Sequence, residues 1–332
     1  MGRDQWNRQR LLQVSGQYWK SSALHAGVKL GVFTELAHEQ LSAEEVSRRL
    51  SCDQRAMTML MNALTAIGLL EKSGPFFNNT KVAQSLLSRN SPDYSGYMVM
   101  HHHHLVDSWS RLDEAVKGGK AVRGRVSHDS EEWRENFLMG MFNNAMGIAP
   151  AVADIVDLSG REDLLDLGGG PGTYGIHFCL KNLELRATVY DLATTRPFAE
   201  KTIQRFGLSD RVHFVPGDYL SDPIPGDYDV AWLSHILHAE GHENCRRIIA
   251  KAVSCLRPGG LIMIHEFILN DTKAGPVFPA LFSLNMLLGT PEGQSYCERE
   301  LFDMLTEAGV QDIQRLDFTG PNDSGIVAGL VG

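Results

Sequence analysis

The stretch Leu164-Leu-Asp-Leu-Gly-Gly-Gly-Pro-Gly-Thr-Tyr-Gly175 sets a short apolar run and an acid against three consecutive glycines and a fourth two residues on. Glycine admits positive φ and lets a ligand approach the main chain, at an entropic cost. A strand, a glycine turn and a helix form the general nucleotide-binding design, with the ligand at the end of the first strand. The spacing is not GxGxxG, so a dinucleotide is not the first choice; alone, the turn is equally well read as a tight βα connection.

Working outward, strands follow at βαβ intervals: DLLDLG, RATVYDL, VHFVPGDY, YDVAWLSH and GLIMIHEFIL, with helical stretches between most of them. This alternation predicts an α/β fold with a doubly wound, mostly parallel sheet, in which ligands lie beyond the carboxyl ends of the strands. Asp191 ends the second strand, 25 residues after Asp166, where a carboxylate can accept from both ribose hydroxyls. Asp218 and Tyr219 end the third and suit an adenine amino group and ring face. A lone Asp at a strand end is as readily a turn former. No GKS or GKT is present to handle a triphosphate, so a cofactor with adenosine and no phosphates fits best.

Composition bounds the rest. At 332 residues with 43% hydrophobic content the chain has material for two domains. A net charge of −9 argues against a nucleic-acid coat. No apolar run approaches the ~20 residues of a membrane helix, and the N-terminus lacks a signal-peptide core, so a cytoplasmic protein without a membrane partner is expected. The five cysteines, Cys52, Cys179, Cys245, Cys255 and Cys297, form no CxxC pair, and no disulfide is expected.

Residues 41–80 read as helix, turn, helix and hairpin, opening with Ser42 and Glu45 at capping-box spacing. This is a winged-helix-like order, whose DNA-binding reading is weakened by a second helix with one cation, Arg55, among its polar positions. That helix, within DQRAMTMLMNALTAIGLL, reads as apolar nearly all round, which predicts a second copy of the chain as its cover. In the run His101 to His104 only the outer two share helical spacing, and no carboxylate stands beside them, so no metal is expected.

The motifs LLDLGGGPGTYG, VYDL, PGDY and LRPGG and the final strand pair resemble those of class I S-adenosylmethionine-dependent methyltransferases. More narrowly, with FNNAMG at 142–147 and the region 281–310, nearly the whole chain resembles the plant caffeate, animal hydroxyindole and bacterial small-molecule O-methyltransferases. The resemblance implies a Rossmann-like seven-stranded sheet in residues 106–332, a winged-helix-like dimerisation domain in residues 1–105, and a homodimer. It implies S-adenosylmethionine held by Asp166, Gly168, Gly170, Asp191, Leu192, Asp218, Tyr219 and Ser234. Phe142, Met146 and Met286 fall where the family shapes its acceptor pocket. His238, after the fourth strand, matches the catalytic base, and Glu266, 28 residues later at the end of the fifth, matches the acid that orients it. His235, His242 and His265 are read as ordinary polar residues.

The chain departs from the family in four places. Ala239 and Glu240 replace the usual Asp and Trp, Ser234 stands where Lys is frequent, and Ser295 stands where plant members carry a second acid. The expected function is O-methylation of a hydroxylated aromatic small molecule. The alternatives are C- or N-methylation or a non-methylating step on the same fold, and, further off, a cofactor-sensing DNA-binding regulator.

Overall fold

The computed structural model describes residues 6–124 and 130–332. The chain divides into two compact units, Met1–Leu105 and Val106–Gly332. Among the described residues no helix is long and apolar enough to cross a membrane.

The first unit is helical with a three-stranded sheet in the order β1 (Leu41–Ser42), β3 (Phe76–Asn79), β2 (Leu70–Ser73). The capping box is formed: Ser42 N–H donates to Glu45 Oε2 at 2.8 Å while Glu45 N–H donates to Ser42 Oγ at 3.3 Å, starting the helix Ala43–Arg49. Asp53 caps the next helix, Gln54–Ala66, through Ala56 N–H. The core gathers Val32, Phe33, Val46, Met61, Leu64 and Phe77.

The structure corrects the reading of Gln54–Ala66 as apolar all round. It buries one face, Met57, Met61 and Leu64, in its own unit, and of its large apolar side chains Met59 stands in solvent. The uncovered apolar surface lies elsewhere: helix Arg8–Ser15 buries no residue, and Trp6, Leu11, Leu12, Tyr18 and Trp19 are each 59–70% exposed. The histidine run lies within helix Gly96–Ser110, where His103 Nε2 meets Lys29 Nζ at 3.2 Å and its ring meets that of His25.

The second unit holds the expected seven-stranded sheet, ordered β6-β5-β4-β7-β8-β10-β9. Its strands are β4 (Asp163–Leu167), β5 (Arg186–Asp191), β6 (Val212–Pro216), β7 (Tyr228–Ser234), β8 (Leu256–Phe267), β9 (Val310–Arg315) and β10 (Ser324–Val331). β6 through β8 are parallel, and β10 runs antiparallel between β8 and β9. Side chains alternate between two apolar layers: Leu165, Ala231, Leu233, Ile262 and Ile264 enter one, while Leu164, Val230, Trp232 and Met263 enter the other. Register carries this alternation to the sheet edge, where Ser234 pairs His265.

At the amino-terminal edge, Arg257 reaches Asp163 at 2.9 Å and Asp229 at 3.0 Å. Asp229 Oδ2 also accepts from the backbone N–H of Glu162 and Asp163 at 2.8 and 3.0 Å.

Candidate active site

The glycine turn between β4 and helix Thr173–Lys181 is left-handed at Gly168, Gly170 and Gly172, with φ of 66°, 55° and 78°. A side chain is excluded on contact grounds too: a Cβ on Gly168 would stand 2.5 Å from Ile236 Cγ2, and one on Gly169 2.5 Å from Asp166 Cγ. Asp166 is 1% exposed. Its Oδ2 accepts from Gly175 N–H at 3.1 Å, while its Oδ1 is buried without a partner. Burial pushes its carboxyl up to about 7, against the pull of the Gly175 N–H and with a contribution from Asp191.

Asp191, at the end of β5, closes over this turn. Oδ2 accepts from Gly170 N–H at 2.8 Å, and Oδ1 accepts from Leu192 N–H at 2.6 Å and from Thr195 Oγ at 3.0 Å. Burial raises its carboxyl although these donors oppose the shift. Asp218 and the half-buried Tyr219 follow β6. Asp218 Oδ1 accepts from Leu220 N–H at 2.8 Å, and Lys251 Nζ clamps the carbonyls of Tyr219 and Leu220 at 2.9 Å each.

Beyond β7 the chain turns at His235, whose φ of 57° is unusual for a residue with a side chain, and enters the short 3₁₀ turn Leu237–Ala239 that carries His238. Glu266, 2% exposed at the end of β8, anchors this turn. Its Oε1 accepts from the backbone N–H of Leu237 at 2.9 Å and of His238 at 3.3 Å. Its Oε2 lies 2.7 Å from His238 Nδ1 and 3.6 Å from His235 Nδ1. Burial alone would raise this carboxyl, but His238 and His235 outweigh it and hold Glu266 well below the usual carboxylate range. A carboxylate so close to Nδ1 fixes the proton of His238 there and leaves Nε2 as the acceptor.

His265 occupies the opposite face of β8. It is fully buried, stacked 5.7 Å from Trp232 with Tyr174 edge-on, and its Nδ1 meets Ser234 Oγ at 3.0 Å. Its Nε2 has no partner, and burial, with His235 adding to it, keeps the imidazole neutral.

An aromatic wall surrounds the two outer imidazoles. The Phe267 ring lies 4.3 Å from His235, Phe282 stands edge-on 4.8 Å from His238, and Phe278 packs 4.8 Å from Phe267. Phe278 and Phe282 share one face of helix Val277–Gly289, which also carries the buried Met286. Phe142 and Met146, on helix Glu131–Met146, face another way: Arg205 lies over the Phe142 ring at 5.7 Å, and Met146 Sδ is 3.4 Å from His177 Nε2.

The structure thus brings together His238 with Glu266, and Asp166 with Gly168, Gly170 and Asp191. Ser234 is tied to His265, and Phe142 and Met146 pack toward His177 and Arg205. His235 and His265 are not ordinary polar residues, which corrects the sequence reading; His242 is, with its Nε2 3.4 Å from Glu300 near the surface. At the departures, Glu240 is buried with Oε2 accepting from Asn244 at 3.1 Å, and Ser295 has a buried hydroxyl without a partner. The aromatic wall was missed too, although Phe278 and Phe282, four residues apart, carried a helical-face signal.

An O-methyltransferase domain family matches residues 109–311, and an O-methyltransferase dimerisation domain family matches residues 12–89. The 3-hydroxy-5-methyl-1-naphthoate 3-O-methyltransferase of Streptomyces sahachiroi is 34% identical over 326 residues, covering 96% of this chain and 94% of that protein. The tetracenomycin polyketide synthesis 8-O-methyl transferase TcmO of Streptomyces glaucescens is 31% identical over 319 residues, with 94% of each covered. The structure of human N-acetylserotonin methyltransferase in complex with SAM aligns over 100% of both chains, with a TM-score of 0.86 and 25% identity.

Proposed function

This chain belongs to the O-methyltransferase family, and on that premise we propose that it methylates a hydroxyl of an aromatic small molecule with His238 as general base. It is an S-adenosylmethionine-dependent methyltransferase. The observation that carries the assignment of the base is the 2.7 Å contact between His238 Nδ1 and Glu266 Oε2, which leaves Nε2 as an acceptor at the ligand edge of the sheet.

S-adenosylmethionine, when bound, supplies a methyl group already activated on sulfonium sulfur. The residues fit such a cofactor: the turn has no room for side chains at Gly168 and Gly169, and the orphaned Asp166 Oδ1 is a ready partner for the amino group of a methionine portion. Gly168 and Gly170 would border that portion, Asp191 and Leu192 the ribose, and Asp218 and Tyr219 the adenine, with Ser234 beside them. His238 Nε2 takes the hydroxyl proton as the oxygen becomes nucleophilic, the role of a general base. Glu266 holds the tautomer and stabilises the imidazolium. The Phe267, Phe278 and Phe282 wall supports a planar acceptor, with Met286 on the same helix. The resemblance alone assigns Phe142 and Met146 to that pocket.

The first unit serves self-association in this reading. Its exposed Trp6, Leu11, Leu12, Tyr18 and Trp19 form a surface that a second copy would cover. Helix Gln54–Ala66 offers nucleic acid one cation, Arg55.

Incubation with methyl-labelled S-adenosylmethionine and a panel of phenols, naphthols and hydroxyindoles, with positional analysis of the product, tests the reading. An O-methylated arene is expected. A C- or N-methylated product, or no product across the panel, overturns it.

A further inference from the structure

His235 has no part in the chemistry above, yet the fold holds it in place at a cost. Its left-handed backbone is of the kind that costs energy and persists where the surroundings demand it. Its ring is lodged between Phe267 at 4.3 Å and His265 at 4.4 Å. Its Nδ1 is buried, lacks a hydrogen-bond partner, and points at Glu266 Oε2 from 3.6 Å, beyond good hydrogen-bond reach. That oxygen already holds His238 Nδ1 at 2.7 Å.

Together, His235, His238 and Glu266 each offer one donor atom, and the three atoms lie within 4.8 Å of one another. Among the described residues no other group of three metal-ligating side chains comes so close. Bonds of 2.0–2.2 Å in a tetrahedral zinc site set neighbouring donors about 3.3 Å apart. The observed 2.7 and 3.6 Å straddle that spacing and the third separation stays within 4.8 Å, so an ion would be seated once the donors draw together around it.

We propose that His235, His238 and Glu266 form a binding site for a zinc-class divalent cation, and that its occupancy switches methyl transfer off. Two imidazoles and one carboxylate suit Zn²⁺, Co²⁺ or Ni²⁺ and disfavour Mg²⁺ and Ca²⁺, which take oxygen. The outer support is built: Leu237 and His238 N–H hold Oε1, and Phe267 and Phe282 flank the rings. With three protein ligands the ion keeps an open position for water.

Metal binding and base catalysis need opposite tautomers of His238. A metal on Nδ1 requires that atom's lone pair, so the neutral imidazole carries its one proton on Nε2, the atom that would otherwise accept the hydroxyl proton. The Nδ1–H donated to Glu266 is gone as well, and the carboxylate that would stabilise the imidazolium is committed to the cation. The inhibition rests on the reading of His238 as the base; the binding does not.

The test uses Co²⁺ as a spectroscopic probe of the full chain, with Zn²⁺ as competitor and Mg²⁺ as control. The expected result is an intense visible d–d band of low-coordinate cobalt, bleached by Zn²⁺ and unaffected by Mg²⁺. His235→Asn, chosen because Asn tolerates left-handed backbone, should weaken binding by more than the roughly 10- to 100-fold that loss of an outer partner costs. Its cofactor affinity reports that the fold is intact. A His101→Gln/His104→Gln double variant should keep the band, which separates this site from the histidine run. Absence of the band in the parent chain, or its persistence in His235→Asn, overturns the site. Zn²⁺ should abolish turnover reversibly, with activity restored by a chelator. A band without inhibition leaves the site standing but overturns the switch and, with it, His238 as the base.

Discussion

At the amino-terminal edge of the seven-stranded sheet, Asp229 accepts from two backbone N–H groups and from Arg257, and Arg257 also holds Asp163. Burial's upward push on Asp229 is outweighed by these donors, and its carboxyl sits below the usual range. At the carboxyl edge of the same strands, Asp166 Oδ1, His235 Nδ1 and His265 Nε2 are buried and unpartnered. Two acids there are driven apart, Asp166 up to about 7 and Glu266 far down. The first edge satisfies its polar groups with protein; the second withholds partners that a ligand can supply. Carboxyls pushed in opposite directions mark divided roles: one waits for a cation, the other is placed to stabilise one that forms beside it.

The largest effect that can break this contrast is at the base. His238→Gln should cut kcat by roughly 10²- to 10⁴-fold while leaving cofactor affinity near the parental value; single-turnover kinetics and calorimetry read the two separately, and near-parental kcat returns His238 to a structural role. Next is the ribose anchor. Asp191→Ala removes charge-assisted hydrogen bonds worth ~1.5–3 kcal/mol, so cofactor affinity should fall roughly ten- to hundredfold, and unchanged calorimetric affinity removes that assignment.

A smaller effect comes from pH. Asp166 is raised above its unfolded value, so its contribution to stability is complete below about 4 and is lost as pH rises through about 7. Glu266 is depressed, so its contribution is present above its unfolded value near ~4.3 and is lost as pH falls further. A cofactor ammonium needs Asp166 ionised, so affinity should strengthen by at most about tenfold per pH unit toward 7 and then level off. Asp166→Asn should flatten that dependence, and a flat parental profile contradicts the role. The smallest effect belongs to the satisfied edge. Arg257→Ala should leave kcat unchanged and lower Tm by no more than about 2–4 °C, because exposed ion pairs contribute little; lost turnover would erase the distinction between the edges.

The glycine turn and its flanking acids were legible because their signals are local. Glycines that must be left-handed and an acid at a strand end lie within one motif, so Asp166, Gly168, Gly170 and Asp191 could be singled out from sequence. His238 and Glu266 were legible through strand-end position and the resemblance together. His235 and His265 were not, because their roles arise from pairing between strands: only the β7–β8 register, Ser234 against His265, brings His235 to Glu266 and sends His265 to the other face. The aromatic wall was hidden for a related reason, since Phe267 meets Phe278 and Phe282 through tertiary packing. In the first unit, composition pointed to a covered surface but chose the wrong helix. Periodicity ranks apolarity and does not say which face its own unit has already buried.

The missing side chain at Gly168 has a mechanical meaning. Ile236 Cγ2 crowds the volume a Cβ would take there, so an aliphatic side chain packs between the turn that would carry the methyl donor and the turn that would carry the base. That side chain acts as a spacer of fixed length between two parts that must align in line to react. A closely packed interior transmits displacement instead of absorbing it, so neither turn can drift without pushing the other. In the proposed reaction, the alignment of donor and base would then lean on a hydrocarbon contact that takes no part in it.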